Sequence, residues 1–125
     1  MTKAKVLILD DDPVARDILS RVLQAEGYDA CAAATGQEAI DAAGSFAPQA
    51  LVSDWMLKGE LDGLDVARAL RERYPDLRIY FITGLPADHL NKQLNGLLNC
   101  KIYEKPVQVD PLLFDLAAEF GKQSA

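Results

Sequence analysis

Short apolar runs alternate with helix-patterned segments along the whole chain, and this alternation restricts the fold more than any other feature. Lys5 to Leu9 (KVLIL) is an apolar run that stops on Asp10, Asp11 and Asp12. Pro13 suits the first position of a helix and Asp12 the N-cap before it. Val14, Ile18, Leu19, Val22 and Leu23 then recur at helical spacing, and Gly27 ends the segment. Tyr28 to Ala34 reads as a weaker strand. Thr35 to Glu38 has the form of a capping box. It opens an Ala-rich helix to about Ala43, with a turn from Gly44 to Pro48. A strand from about Ala50 to Asp54 follows, then a loop carrying Gly59 and Gly63. The next helix runs from about Leu64 to Tyr74 and is stopped by Pro75. Leu77 to Ile82 is a fourth strand, ending on Thr83. Pro86 starts a polar helix that fades near Leu98. Lys101 to Glu104 is a fifth strand, ending on Lys105 and Pro106. Asp110 and Pro111 repeat the cap-then-proline signal before a last helix to Phe120.

Five strands alternating with five helices imply right-handed βαβ units: an α/β protein, doubly wound, with one five-stranded parallel sheet and helices on both faces. The all-apolar strands fit a sheet buried on both sides. In such sheets ligands and chemistry sit beyond the carboxyl ends of the strands. Asp54 closes the central strand and is therefore where a reactive side chain is expected.

Length and charge narrow the class. At 125 residues the chain is expected to be one domain, 1–125, with a core from about 5 to 120. It begins just before the first strand and stops just after the last helix, so no output domain is expected. A formal net charge of −6 argues against direct binding to DNA or to an anionic membrane. It permits a cation site and a basic protein partner. The two cysteines, Cys31 and Cys100, lack metal-ligand spacing and read as small buried hydrophobes in a reducing compartment. No segment has the length of a signal peptide or membrane span, so the expected location is cytoplasmic.

Four strands end on polar groups: Asp10 and Asp11, Asp54, Thr83 and Lys105. Parallel strands point these ends the same way, so the groups converge in one pocket. Carboxylates crowded together repel unless a cation sits among them. Oxygen-only ligands suit Mg²⁺, which keeps several waters. A carboxylate held ionised in this way can attack a phosphoryl group and become an acyl phosphate. Phosphoryl transfer asks mainly for positioning and charge stabilisation. The Lys105 ammonium can take one phosphoryl oxygen and the Thr83 hydroxyl another.

With these residues in place, the sequence resembles the receiver domain of bacterial two-component response regulators in its single-domain form. The resemblance rests on VLILDDDP (Val6 to Pro13) with Arg16, LVSDWML (Leu51 to Leu57), Asp62 with Gly63, FITG (Phe81 to Gly84) and EKP (Glu104 to Pro106). It covers about Lys5 to Phe120. It implies a flavodoxin-like receiver fold with strand order 2-1-3-4-5. It implies Asp54 as phosphoacceptor, Asp10 and Asp11 as the acidic metal pair, and the Met56 backbone carbonyl as a further metal ligand. Thr83 then matches the switch hydroxyl and Lys105 the phosphoryl-binding lysine. The Lys105–Pro106 bond is usually cis in this family. The donor would be a sensor histidine kinase or a histidine phosphotransfer protein, docking on the first helix. A downstream protein would meet the face formed by the fourth helix, fifth strand and last helix. The expected assembly is a monomer or weak dimer.

The chain departs from the family at several points. Where an aromatic usually stands, three residues before the lysine, it has Ile102. Tyr103 is adjacent and faces the other side. This leaves coupling between Thr83 and an aromatic rotamer an open question. Lys58 stands where a proline is common, and Gly63 falls one residue late. Gly84 leaves the pocket open, so a short-lived aspartyl phosphate is expected. His89 reads as a surface residue and Trp55 as part of the pocket rim. Two other readings compete. A Mg²⁺-dependent phosphatase of the haloacid-dehalogenase kind would carry a second Asp at position 56, where this chain has Met. A receiver-fold interaction module acting without phosphorylation, or a receiver excised from a hybrid kinase or longer regulator, also stays open.

Overall fold

A computed structural model describes residues 3–94, 96–105 and 109–123. The strands are β1 (Lys5–Leu9), β2 (Asp29–Ala33), β3 (Ala50–Asp54), β4 (Arg78–Thr83) and β5 (Cys100–Glu104). Between and after them lie α1 (Pro13–Ala25), α2 (Gly36–Phe46), α3 (Gly63–Arg73), α4 (Ala87–Asn91) and α5 (Val109–Phe120). All neighbouring strands pair parallel, in the order β2-β1-β3-β4-β5. Among the described residues no helix is long and apolar enough to cross a membrane.

The strand alternation divides the core. Leu7, Leu9, Leu51, Ile79 and Phe81 face Ala39 and Ala43 of α2 and Val66, Ala67 and Leu70 of α3. Their neighbours Val6, Ile8, Val52, Tyr80 and Ile82 face Leu19 and Leu23 of α1 and Leu112 and Leu116 of α5. Along β1, β3 and β4 nearly every side chain is buried whichever way it points, which is why these runs read as continuously apolar, while the edge strands β2 and β5 are partly exposed. Cys31 and Cys100 are free thiols, only half-buried, packed at the margin of the first layer.

Local chemistry sets the helix ends, and here several expectations need correction. The Asp12 carboxylate accepts from the Val14 N–H at 3.0 Å, with Pro13 beginning α1, as expected. Thr35 Oγ1 accepts from the Glu38 N–H at 3.1 Å, but Glu38 returns to the Thr35 hydroxyl instead of the backbone, so only half of the capping box forms. Helix α2 continues through Gly44 to Phe46, and Ala47 ends it in the left-handed region at φ 52°. The reciprocal box occurs where it was not expected, between Asp62 and Asp65 at the start of α3.

Helix α4 is reduced to five residues, followed by a 3₁₀ turn over Lys92–Leu94, instead of reaching Leu98. Pro86 provides no side-chain cap. Leu90 is the fully buried anchor of this stretch, and Gly96 and Asn99 take positive φ of 85° and 58°. With so little apolar face to bury, the segment lacks what normally stabilises a helix. Arg68 of α3 closes it off, its guanidinium donating to the Gln93 and Leu94 carbonyls at 3.1 and 2.6 Å. Helix α5 begins at Val109, so Asp110 lies inside its first turn instead of capping it. Pro111 is tolerated there because first-turn N–H groups need no helical partner. The cis expectation for the Lys105–Pro106 bond and the surface expectation for the His89 side chain fall outside the described residues.

Strand β5 is tied to α5 by Tyr103, which stacks on Tyr80 with ring centroids 6.4 Å apart. Its hydroxyl donates to Asp115 Oδ2 at 2.5 Å, and Lys101 Nζ lies 3.2 Å from Asp115 Oδ1. Burial, then the Asp115 carboxylate, pushes the Tyr103 phenol far up. The Tyr103 hydrogen bond, and then Lys101, hold Asp115 below its ordinary value of 3.8. A depressed carboxylate contributes stability that is present above its unfolded pKa and lost as pH falls through its folded pKa. Tyr103→Phe is therefore expected to destabilise the fold by about 1–2 kcal/mol at neutral pH. The difference should shrink from neutral to acid pH, as Asp115 takes up a proton at a folded value below 3.8. Urea unfolding at the two pH values checks this.

Candidate functional site

The parallel register brings the carboxyl ends of β1, β3, β4 and β5 to one edge of the sheet. Asp10, the residue after β1, is 2% exposed, and Asp54, the last of β3, is 5% exposed. Asp11 is half-buried. One carboxylate oxygen from each of Asp10, Asp11 and Asp54 lies within 4.8 Å of the others, the only such acidic cluster among the described residues. Lys105 Nζ donates to Asp54 Oδ2 at 2.8 Å from a side chain that is 42% exposed.

Each carboxylate also accepts a backbone N–H. The Asp12 amide serves Asp10 Oδ1 at 2.9 Å, the Met56 amide serves Asp54 Oδ1 at 3.2 Å, and the Lys58 amide serves Asp11 Oδ2 at 3.0 Å. Arg16 Nη1 donates to the Asp10 carbonyl at 2.9 Å, so α1 holds the turn after β1 in place. Thr83 is fully buried; its hydroxyl oxygen accepts from the Leu85 N–H at 2.9 Å, and its carbonyl accepts the Lys105 N–H at 2.6 Å. Thr83 thus anchors the Lys105 backbone, while the side chains of Thr83 and Asp54 share no hydrogen bond.

Burial is the largest influence on Asp10 and pushes its carboxyl above 3.8; the Asp12 N–H opposes this and Asp54 reinforces it. A raised carboxylate loses its favourable contribution as pH rises through its folded pKa, so ionised Asp10 is a cost at neutral pH. Lys105 is pushed above 10.5, first by its hydrogen bond to Asp54, against the opposing effect of burial. Three carboxylates facing one ammonium leave negative charge that the described residues do not balance. The donor set is hard oxygen only, which fits Mg²⁺ or a similar cation.

One residue differs from its expected place. Trp55 is 4% exposed and lies in the α2 and α3 layer, its ring 4.7 Å from that of Phe81, not on the rim. Its backbone N–H donates to the Ile82 carbonyl at 2.8 Å, so it prolongs β3 and turns its indole into the core. Met56 takes the rim instead, at 61% exposure.

Gly63 backs the whole site, a role its place in the sequence does not announce. A Cβ there would lie 2.2 Å from the Asp54 carbonyl oxygen and 3.0 Å from Ser53 Oγ. The Gly63 N–H donates to the Trp55 carbonyl at 2.9 Å, seating the start of α3 directly behind Asp54. The pairing of Asp62 with Gly63 was the available signal, but spacing alone does not reveal a close approach.

Other expectations hold their form. Ile102 packs in the layer of Phe81, and Tyr103 faces the α5 layer. Gly84 is exposed with open space where a Cβ would stand. Val14 and Ile18 are exposed at 66% and 51%, whereas Leu19 is core.

Comparison with known proteins agrees with this geometry. The family model for the response regulator receiver domain matches residues 6–114. The response regulator MprA of Mycolicibacterium vanbaalenii is 39% identical over 93 residues, covering 74% of this chain and 39% of that protein. MprA of Mycobacterium tuberculosis strain H37Rv is 40% identical over the same length, again covering 74% of this chain and 39% of that protein. The chain thus spans about two fifths of the length of these relatives. Among solved structures, chemotaxis response regulator CheY4 of Vibrio cholerae is 27% identical with a TM-score of 0.83, covering 94% of this chain and 98% of that one. Response regulator TrrA of Thermotoga maritima, solved in complex with Mg²⁺ and BeF, is 27% identical with a TM-score of 0.80, covering 92% and 97%. A family match that takes in β1 to β5 and the whole acidic cluster, on a sheet of this strand order, makes the chain a member of the response regulator receiver domain family.

Proposed function

We propose that this chain is a phosphorylation-operated switch in which Asp54 accepts a phosphoryl group from the phosphohistidine of a sensor histidine kinase or histidine phosphotransfer protein. The observation that carries the reading is Asp54 itself: a buried carboxylate at the end of the central strand, bonded to Lys105 at 2.8 Å and crowded by Asp10 and Asp11. Asp10, Asp11, Asp54 and the Met56 carbonyl would hold Mg²⁺. When bound, the cation supplies positive charge that offsets the carboxylates and the phosphoryl oxygens.

The chain's own groups do the rest. An Asp54 carboxylate oxygen forms the new bond to phosphorus as the P–N bond to the donor imidazole breaks, its electron pair going to the imidazole nitrogen. The Lys105 ammonium transfers its contact from the carboxylate to a phosphoryl oxygen. The Thr83 hydroxyl now accepts from Leu85 and keeps its own proton to donate to another phosphoryl oxygen. Water attack on phosphorus later restores Asp54. Residues 5–120 would act as one receiver unit whose output is a change of protein contacts, not metabolic turnover. The reading puts the protein in the cytoplasm, where kinase phosphohistidines are presented, and the net charge of −6 disfavours DNA as its direct target.

Borohydride reduces an acyl phosphate to an alcohol. Reduction after phosphorylation is expected to leave homoserine at position 54, located by peptide mass. Homoserine at position 10 or 11 would contradict the reading. The open space beside Gly84 leaves water free to approach, so the phosphorylated form is expected to be short-lived in Mg²⁺ buffer. Persistence over many hours, followed by intact mass, would count against that part.

A further inference from the structure

The three carboxylates of the cluster are not held alike. Asp10 and Asp54 each accept the N–H of the residue two positions further on, so their support is local to their own turns. Asp11 accepts its N–H from Lys58, 47 residues away in the loop between β3 and α3. Asp11 is also the least buried of the three, so packing alone does little to fix its rotamer.

We infer that the backbone N–H of Lys58 is a positioning group that fixes the Asp11 carboxylate for cation binding; this deepens the reading above and rests on it. The donor engages Oδ2 and leaves Oδ1 and the remaining lone pairs for a metal. A neutral donor on a ligand carboxylate holds it in one orientation. The residue type matters at the backbone, not at the ammonium. A proline here would have no N–H to give. The Lys58 side chain is exposed, and the Asp11 bond does not involve it. The same bond ties the loop to the site. Met56 and Lys58, two residues apart, hold carboxylates of two different strands, so loop conformation and cation occupancy depend on each other.

Two measurements test this. Amide hydrogen exchange, read by NMR on the metal-free protein, should show Lys58 protected in wild type and freely exchanging in Asp11→Ala. An unchanged Lys58 amide would overturn the inference whatever the metal does. Calorimetric titration with Mg²⁺ should show Lys58→Pro binding about 10–100-fold more weakly than wild type, the usual range for losing a group that orients a metal ligand. Lys58→Ala, which keeps the N–H, should stay close to wild type. Equal affinities for the proline and alanine variants, or equal losses, would overturn it. Failure of wild type itself to bind Mg²⁺ would instead sink the cation reading, and with it the ligand role of Asp11.

Discussion

Gly63→Ala should lose about 3 kcal/mol of stability or more, at or beyond the top of the usual range for overpacking. The reason is space, not backbone conformation. The added Cβ would stand 2.2 Å from the Asp54 carbonyl oxygen, and the obstacle is main chain of the central strand, which no rotamer change relieves. Either α3 withdraws, giving up the Gly63 to Trp55 hydrogen bond, or the end of β3 moves and takes Asp54 with it. A loss of this size is a large fraction of the roughly 5–15 kcal/mol that holds an ordinary domain together. Phosphoryl acceptance should fall together with stability, because the displaced atom belongs to Asp54, the proposed acceptor. Gly84→Ala is the control: its Cβ meets open space, and its stability should stay within about 0.5 kcal/mol of wild type. Urea midpoints for both variants decide the matter, and a Gly63→Ala protein as stable as wild type would refute the packing described here.

Lys105→Ala is expected to separate stability from chemistry. In the resting protein the ammonium is 42% exposed, so solvent screens its pairing with Asp54 and the loss should be about 1 kcal/mol or less. The raised pKa of Lys105 has the matching sign. Its contribution is fully present below 10.5 and lost as pH rises through the higher folded value, so the variant should differ from wild type at neutral pH and converge in strong alkali. In the proposed transfer the same ammonium would face charge on the phosphoryl oxygens beside buried Asp10, Asp54 and Thr83. Removing one preorganised donor there costs about 10²–10³ in rate by analogy with anion-stabilising donors elsewhere. Rates of phosphorylation by a small acyl phosphate, compared at saturating Mg²⁺, measure this. A variant with near wild-type rate would remove Lys105 from the mechanism.

The sheet was legible because β1, β3 and β4 are buried on both faces and read as largely apolar runs closing on polar residues. Ala50–Asp54 is the clearest instance, its expected and observed limits being the same. Segments lacking that contrast were less legible. Helix α2 outran its expected end because Gly44 is tolerated in a last turn closed by Ala47 in the left-handed region. The polar pattern after Pro86 looked long enough for a full helix, but only tertiary packing decides such a segment, and Leu90 alone anchors it deeply. At the site, the converging ends of parallel strands made Asp10, Asp11, Asp54, Thr83 and Lys105 visible as a group. The burial of Trp55, the close approach at Gly63 and the Lys58 to Asp11 bond were not visible. Each depends on a contact between main chain and a distant segment, which residue type and spacing do not encode.

The central claim is that Asp54 is a metal-assisted phosphoryl acceptor. Intact mass after incubation with a small acyl-phosphate donor, with and without Mg²⁺, tests it on wild type and Asp54→Asn. The account predicts a gain of one phosphoryl group in wild type that depends on Mg²⁺ and is missing in Asp54→Asn. No gain under any condition, or an equal gain in Asp54→Asn, would contradict it.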